Sequence, residues 1–398
     1  MARLDITSAA FHNDVHGTLT RLRHETAVAS GKLFLIRTCY FPTRYADVDR
    51  LLHDGLLVKN GSNARSAEGK STKLWMPPVF DAMMHNMLTS DEPDHRRLRN
   101  LVHKAFTPKR IAALDGLIER IADELLDELL RAGGGDLFTT FAQPLPVRII
   151  AELIGIPAQD RDKFVRWTQA IARNPTPLSL LPVMVALRKF LAYIDALAEQ
   201  RRRVPEDDLL TALVEAEAEG DRLTRQELRS TVLILLIAGH ETTVNLIANG
   251  TLALLRNPEQ LALLREQPEL MASAVEELLR YEGPLITTEI SYAKQTIELD
   301  GAQIPQGAMV LPLLMSANHD EQVFTEPERL DITRNPNRHL AFGKGIHYCL
   351  GAPLARLELQ VALPILLQRL PNLALAQEPQ YRNTYHFHGL DALWVGIG

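Results

Sequence analysis

One stretch limits what this chain can fold into more than any other. Residues 223–255 carry a mostly apolar helical pattern, with the unbroken run Val232-Leu233-Ile234-Leu235-Leu236-Ile237-Ala238 near its centre. Seven residues are too few to cross a bilayer, so the helix is expected inside a folded domain. Directly after the run comes Gly239-His240-Glu241-Thr242-Thr243. A carboxylate and two hydroxyls within an apolar helix are costly to bury unless they are satisfied. Threonine can bond back to the carbonyl four residues earlier and bend the helix. Either the helix surfaces at this point or the patch carries chemistry. A zinc site of the H-E-x-x-H kind is excluded, because position 244 is Val and the second histidine is absent.

The rest of the chain is α-rich. Helical periodicity dominates from about residue 92 onward, with helices predicted over residues 114–131, 138–153, 160–173, 185–203 and 270–281. Asn174-Pro175-Thr176-Pro177 breaks the pattern. Strands are predicted over residues 32–37, 287–293, 296–299 and 308–315. The expected fold class is mainly α with a small β portion. A length of 398 residues permits two or three domains or one large catalytic unit. Two cysteines, Cys39 and Cys349, are too few for a disulfide framework and fit a reducing cytoplasm. A net charge of −6 argues against a nucleic-acid binder. The first thirty residues lack a basic segment followed by an apolar one, so neither signal peptide nor membrane anchor is expected.

Cys349 lies in Phe342-Gly343-Lys344-Gly345-Ile346-His347-Tyr348-Cys349-Leu350-Gly351. Three glycines let the backbone turn sharply and approach a ligand closely. The following residues, Ala352 to Glu358, read as a helix start. A thiolate just before a helix N-terminus is favoured by the dipole and free N–H groups. A lone cysteine is usually an inert small hydrophobe, but this one sits among six fixed positions of F-G-x-G-x-H-x-C-x-G. That segment resembles the haem-binding loop of the cytochrome P-450 superfamily, in which the cysteine is the axial iron ligand.

Four further segments carry the resemblance, in the family's order. Ala238-Gly239-His240-Glu241-Thr242-Thr243 is similar to the oxygen-activating stretch, with Glu241 and Thr242 as the acid–alcohol pair. Small Ala238 and Gly239 would let the helix lie close to the haem and leave room for dioxygen. His95 and Arg99, four apart, match H-x-x-x-R, which binds haem propionates, and His347 is implied to help. Glu277 and Arg280 match E-x-x-R, a structural pair that locks its helix to a meander containing Arg329. One departure stands out. Many members have a propionate-binding arginine in the strand after E-x-x-R, yet no arginine occurs between Arg280 and Arg329, and Ser291 stands near that position.

The resemblance implies one cytochrome P-450 catalytic domain over residues 1–398, a triangular α-rich prism with a long central helix over haem b. Its β-rich portions are expected near residues 30–60, 285–315 and 375–398. Cofactor contacts are expected from His95, Arg99, Ala238, Phe342, His347, Cys349 and Gly351. Substrate contacts are expected from Met83, Met84, Met87, Leu178, Ile237, Ala238, Leu285, Ile286, Thr287, His386 and Phe387. His386 and His388 would give that pocket polar anchors.

The implied activity is a cytoplasmic haem-thiolate monooxygenase. It would place one atom of O₂ in an apolar small molecule, by hydroxylation or epoxidation in bacterial secondary metabolism. Electrons would come from a ferredoxin or flavodoxin with its NAD(P)H reductase. A basic patch of Arg96, Arg97, Lys104, Lys109, Arg110 and Lys344 would steer that partner. A peroxide-driven or oxygen-independent haem-thiolate enzyme and a non-enzymatic haem or ligand binder are the alternatives. A hydrolase with Cys349 as nucleophile is the alternative without haem.

Overall fold

The computed structural model describes residues 2–33, 37–64, 86–172, 180–218 and 221–397. Its axis is the helix Arg225–Arg256, which begins with a capping box. Thr224 Oγ1 accepts the Glu227 N–H at 3.2 Å, and the Glu227 carboxylate accepts the Thr224 N–H at 2.8 Å. By length and composition this helix is apolar enough to cross a membrane, but most of that surface is buried inside the protein. The helices Pro144–Ile154, Met271–Tyr281 and Ala352–Arg369 pack around it. All three contribute to one large apolar core with it.

The β portion is separate. Five short strands form one sheet in the order Val28–Leu33, Arg37–Pro42, Met309–Val310, Ser291–Ala293 and Leu57–Val58. Only the Arg37–Pro42 and Met309–Val310 pair is parallel; the other pairings are antiparallel. The hairpin Ile297–Leu299 with Ala302–Ile304 and a small sheet of Gly135–Asp136, Trp394–Gly396 and Ala374–Leu375 complete the main strands. This sheet brings residue 59, at the end of Leu57–Val58, beside Ser291.

Several boundaries differ from the sequence expectations; the strand expected over residues 287–293, for example, forms only at Ser291–Ala293. Residues 138–153 are not one helix but a wide π-type turn, Phe138–Ala142, followed by Pro144–Ile154. Pro144 has no N–H to continue the first segment and is well placed to start the second. The strand expected over residues 32–37 falls across the connection of two antiparallel strands, with Leu33 opposite Arg37. The strand expected over residues 308–315 pairs only at Met309–Val310, and the chain then turns into the helix Leu314–Asn318.

Candidate active site

The cysteine loop is held by backbone geometry. Gly343 and Gly345 have φ of 67° and 68°, a region that side chains with a Cβ avoid. A Cβ on Gly345 would also lie 2.4 Å from the Leu52 carbonyl oxygen. The loop is therefore pressed against the helix Tyr45–His53, where Lys344 pairs with Asp49 at 2.6 Å. The Cys349 N–H donates to the Phe342 carbonyl at 3.0 Å. Cys349 thus arrives at the start of Ala352–Arg369, with Gly351 as the N-cap. Burial pushes its thiol up, while the N–H groups of Gly351 and Ala352 and the charges of Arg99 and Arg356 pull it down. A half-buried sulfur capped this way suits a metal-bound thiolate. Arg356 lies 4.5 Å from the Phe342 ring centroid and makes two hydrogen bonds to Glu276, at 2.6 and 2.8 Å. Burial would raise the Glu276 carboxyl, but Arg356 and His339 bring it down to about 2.

His95 and Arg99 share a face of the helix Asp94–Ala105, as their spacing requires. Arg99 donates to the Tyr348 carbonyl at 2.8 Å, which ties this helix to the cysteine loop. The rings of His95 and His347 are 4.4 Å apart, edge to face. Burial, then the charges of Lys59, His95 and Arg99, press the His347 imidazole down to about 3, so the ring is neutral. His95 Nε2 is buried with no hydrogen-bond partner among the described residues. Such an orphaned buried nitrogen is expensive unless a ligand satisfies it. A backbone-capped thiol beside a group of basic side chains with a vacant donor fits haem b, an iron with two peripheral carboxylates.

The central helix presents a different surface. Ala238 is exposed in the middle of an otherwise core helix, and Ile237, Glu241 and Thr242 beside it are only partly buried. The Thr242 hydroxyl donates to the Ala238 carbonyl at 2.6 Å, the back-bond anticipated from its type. Gly239 departs from expectation. A Cβ there would approach Ile150 Cδ1 to 2.8 Å, so Gly239 serves the contact with Pro144–Ile154, not the haem side. The Glu241 carboxylate is held at 2.9 Å by Arg382, which also donates to Asn245 Oδ1 at 2.7 Å. Burial and the Arg382 charge press the neighbouring His240 down to about 4 and keep it neutral. Sequence reasoning missed Arg382 because it sits in a polar C-terminal stretch with no helical or strand pattern.

The Glu277–Arg280 pair lies at the centre of a larger hydrogen-bonded lock. Glu277 and Arg280 are fully buried and joined by two hydrogen bonds of 2.8 Å. Arg280 also donates to the carbonyls of Asn318, Pro327 and Arg329. Glu277 accepts from the Asp331 N–H, Arg334 and Asn337. The Arg329 side chain takes no part: it is exposed and pairs with Glu326, and only its carbonyl belongs to the lock. Arg334 is the side chain that reaches Glu277.

Several expected substrate contacts are corrected. Ile286 and Thr287 have no exposed surface. Ile286 packs into a separate core with Leu33, Phe41 and Met309, and Thr287 bonds toward Tyr385 and His386. His386 is buried and committed to Glu289 at 3.1 Å. His388 is buried, with Nε2 bonded to Glu282 at 2.8 Å and its ring stacked on Tyr381 at 4.2 Å, so only its buried Nδ1 lacks a partner among the described residues. Leu285, Phe387, Ile237 and Met87 stay partly open, and Leu285 pairs with Phe387 through one β-bridge. Met83, Met84 and Leu178 lie outside the described residues. In the basic patch, Arg97 pairs with Asp221 and Glu227, Arg110 with Asp207, Arg96 with Glu92 and Lys344 with Asp49. Each pairing weakens the outward field of the patch.

The family model described as Cytochrome P450 matches residues 66–381. The polyketide biosynthesis cytochrome P450 PksS of Bacillus subtilis (strain 168) is 42% identical over 393 residues, 97% of this chain and 96% of that protein. The 6-deoxyerythronolide B hydroxylase of Saccharopolyspora erythraea is 39% identical over 402 residues, 99% of this chain and 98% of that protein. The solved structure of PksS matches with a TM-score of 0.92 at 40% identity, covering 99% of this chain and 100% of that one.

Proposed function

Because this chain belongs to the cytochrome P450 family, whose members bind haem b through a cysteine thiolate, we propose that it hydroxylates or epoxidises an apolar small molecule in bacterial secondary metabolism. It is an oxidoreductase of the monooxygenase kind. One atom of O₂ enters the substrate, and the other leaves as water, taking two protons from solvent and two electrons from a ferredoxin or flavodoxin and its NAD(P)H reductase. The observation that carries the reading is the meeting of three distant segments: capped Cys349, the His95–Arg99 helix face and His347. The names of its relatives support a polyketide-like substrate, since PksS serves polyketide biosynthesis and another relative is a 6-deoxyerythronolide B hydroxylase.

When bound, the haem supplies oxygen activation, aided by electron density from the thiolate. The chain's own residues prepare and protect that chemistry. Cys349 provides the thiolate, and the Gly351 and Ala352 N–H groups lower the cost of its charge. The exposed surface at Ala238 leaves space beside the helix. Thr242 holds a hydroxyl there, bonded to the Ala238 carbonyl at 2.6 Å and able to turn to hold a water in that space. Glu241 rests against Arg382, so carrying a proton to Thr242 requires it to loosen that ion pair. His95, Arg99 and His347 anchor the haem edge. A cytoplasmic location belongs to the same proposal.

The test is the spectrum of the reduced protein under carbon monoxide, followed by turnover with NADH and a ferredoxin system. The expected result is the strongly red-shifted band of thiolate-ligated haem, with product formed only when reductant is supplied. Cys349→Ser should lose that band and all oxygen insertion. Product made from peroxide alone would favour the peroxide-driven class. Undiminished turnover in Cys349→Ser would overturn the assignment.

A further inference from the structure

The sequence leaves a gap at Ser291, where no arginine is available for the cofactor's carboxylates. The structure puts a different cation there. Lys59 Nζ lies 3.0 Å from Ser291 Oγ and 3.2 Å from the Glu289 carbonyl oxygen. Both are neutral acceptors. The Glu289 carboxylate is bonded to His386 at 3.1 Å, and Asp91 is occupied by backbone and amide donors. The ammonium therefore makes no direct ion pair among the described residues.

The backbone fixes this placement. The Lys59 N–H donates to Asp91 Oδ1 at 2.6 Å, and the Asn60 N–H donates to Asp91 Oδ2 at 3.0 Å. The Asp91 carbonyl in turn accepts the His95 N–H at 2.9 Å, within the first turn of the Asp94–Ala105 helix. One aspartate thus ties the end of a strand to the helix that carries His95 and Arg99. His347 feels the charge of Lys59 ahead of those of His95 and Arg99. Around this point the structure gathers Lys59, Arg99, His347 and the vacant Nε2 of His95. The acids near them are Glu92, 3.7 Å from the other nitrogen of His95, and the already bonded Asp91 and Glu289. A lysine that is half buried without a directly paired acid is costly, and burial brings its ammonium down to about 8. An anionic ligand would relieve both that cost and the vacancy on His95.

We propose that Lys59 binds a haem propionate, supplying from the strand Leu57–Val58 the cation that the chain lacks at Ser291. The proposal rests on the haem reading. Ser291 and the Glu289 carbonyl orient the ammonium, leaving one of its three N–H donors for the carboxylate. A charge-assisted hydrogen bond of this kind holds the cofactor more firmly and takes no part in the oxygen chemistry.

The experiment follows transfer of haem from the holoenzyme to excess apomyoglobin. Lys59→Met should lose haem about tenfold faster than the wild type, the effect expected from one charge-assisted bond. Lys59→Arg should stay within about twofold, because it keeps the charge. Amine labelling of the wild type, read by mass spectrometry, covers the case in which Lys59→Met fails to fold. Lys59 should be protected in the holoenzyme and modified after haem removal. Wild-type haem loss in a folded Lys59→Met, or equal labelling with and without haem, overturns the proposal. A wild type lacking the thiolate–haem spectrum would instead overturn the haem reading itself.

Discussion

Glu277 and Glu241 are both carboxylates on helices of the core, yet their surroundings differ sharply. Glu277 has no exposed surface and accepts hydrogen bonds from Arg280, Asp331, Arg334 and Asn337. Glu241 keeps 15% of its side chain exposed and, among the described residues, is held by Arg382 alone. Neither carboxylate is a surface residue, so the difference is one of commitment. Every oxygen of Glu277 is spoken for, and moving it would strand several buried donors. Moving Glu241 costs one ion pair whose cation is itself partly open to water. The carboxylate of the Glu277–Arg280 lock is built to stay still, and the carboxylate proposed for the proton relay shifts once a single ion pair opens.

The sharpest way to break this contrast is to remove the fixed carboxylate. Glu277→Ala leaves Arg280 charged, buried and without its counter-ion, which costs about 3–5 kcal/mol. The expected outcome is little haem-loaded protein and a large drop in the thermal midpoint, measured by absorbance on heating. A variant that loads haem normally would show that the meander holds without the pair. A smaller and different effect is expected on the proton side. Thr242→Ala should fold and load haem as the wild type does. Its product formation should fall on the order of 10²-fold while oxygen and NADH are still consumed, since a relay group rather than a structural one is lost. Product and oxygen measured together would reveal this, and an unchanged ratio of the two would count against Thr242 as part of the relay. The smallest effect sharpens the comparison inside the meander. Arg329→Ala removes an exposed side chain whose carbonyl alone matters, so the midpoint should move by no more than about 0.5 kcal/mol in equivalent stability. A larger loss would mean that the Arg329–Glu326 surface pair does more than its exposure allows.

What could be read in the sequence was whatever depends on residues close together in the chain. The cysteine loop, the H-x-x-x-R face, the E-x-x-R pair and the Thr242 back-bond each lie within one turn or one loop, so the residues stood together in the sequence, and the family resemblance supplied the roles of the first three. Lys59 and Arg382 were not legible for the opposite reason. Each acts on a segment far away, at Ser291 and Glu241 respectively, through sheet pairing or a loop return that leaves no periodic trace. The direction in which Ile286 and Thr287 point was also hidden. They lie in an irregular stretch, where period-2 alternation gives no guide to which side chain faces the core. Gly239 illustrates the same limit on a regular element. Its smallness was visible, but not which neighbour needed it.

That last contact reaches beyond packing. Ala238 and Gly239 are consecutive on one helix, and consecutive residues point about 100° apart. The first faces open space, while the second is wedged against Ile150. The room beside Ala238 is therefore set in part from the opposite face, by how closely Ile150 lets the helix retreat. Bulk added at Ile150 would push the helix toward the open side of Ala238, and bulk removed there would let it draw back. If the proposed substrate sits beside Ala238, its size is tuned by Ile150 from the other face of the helix.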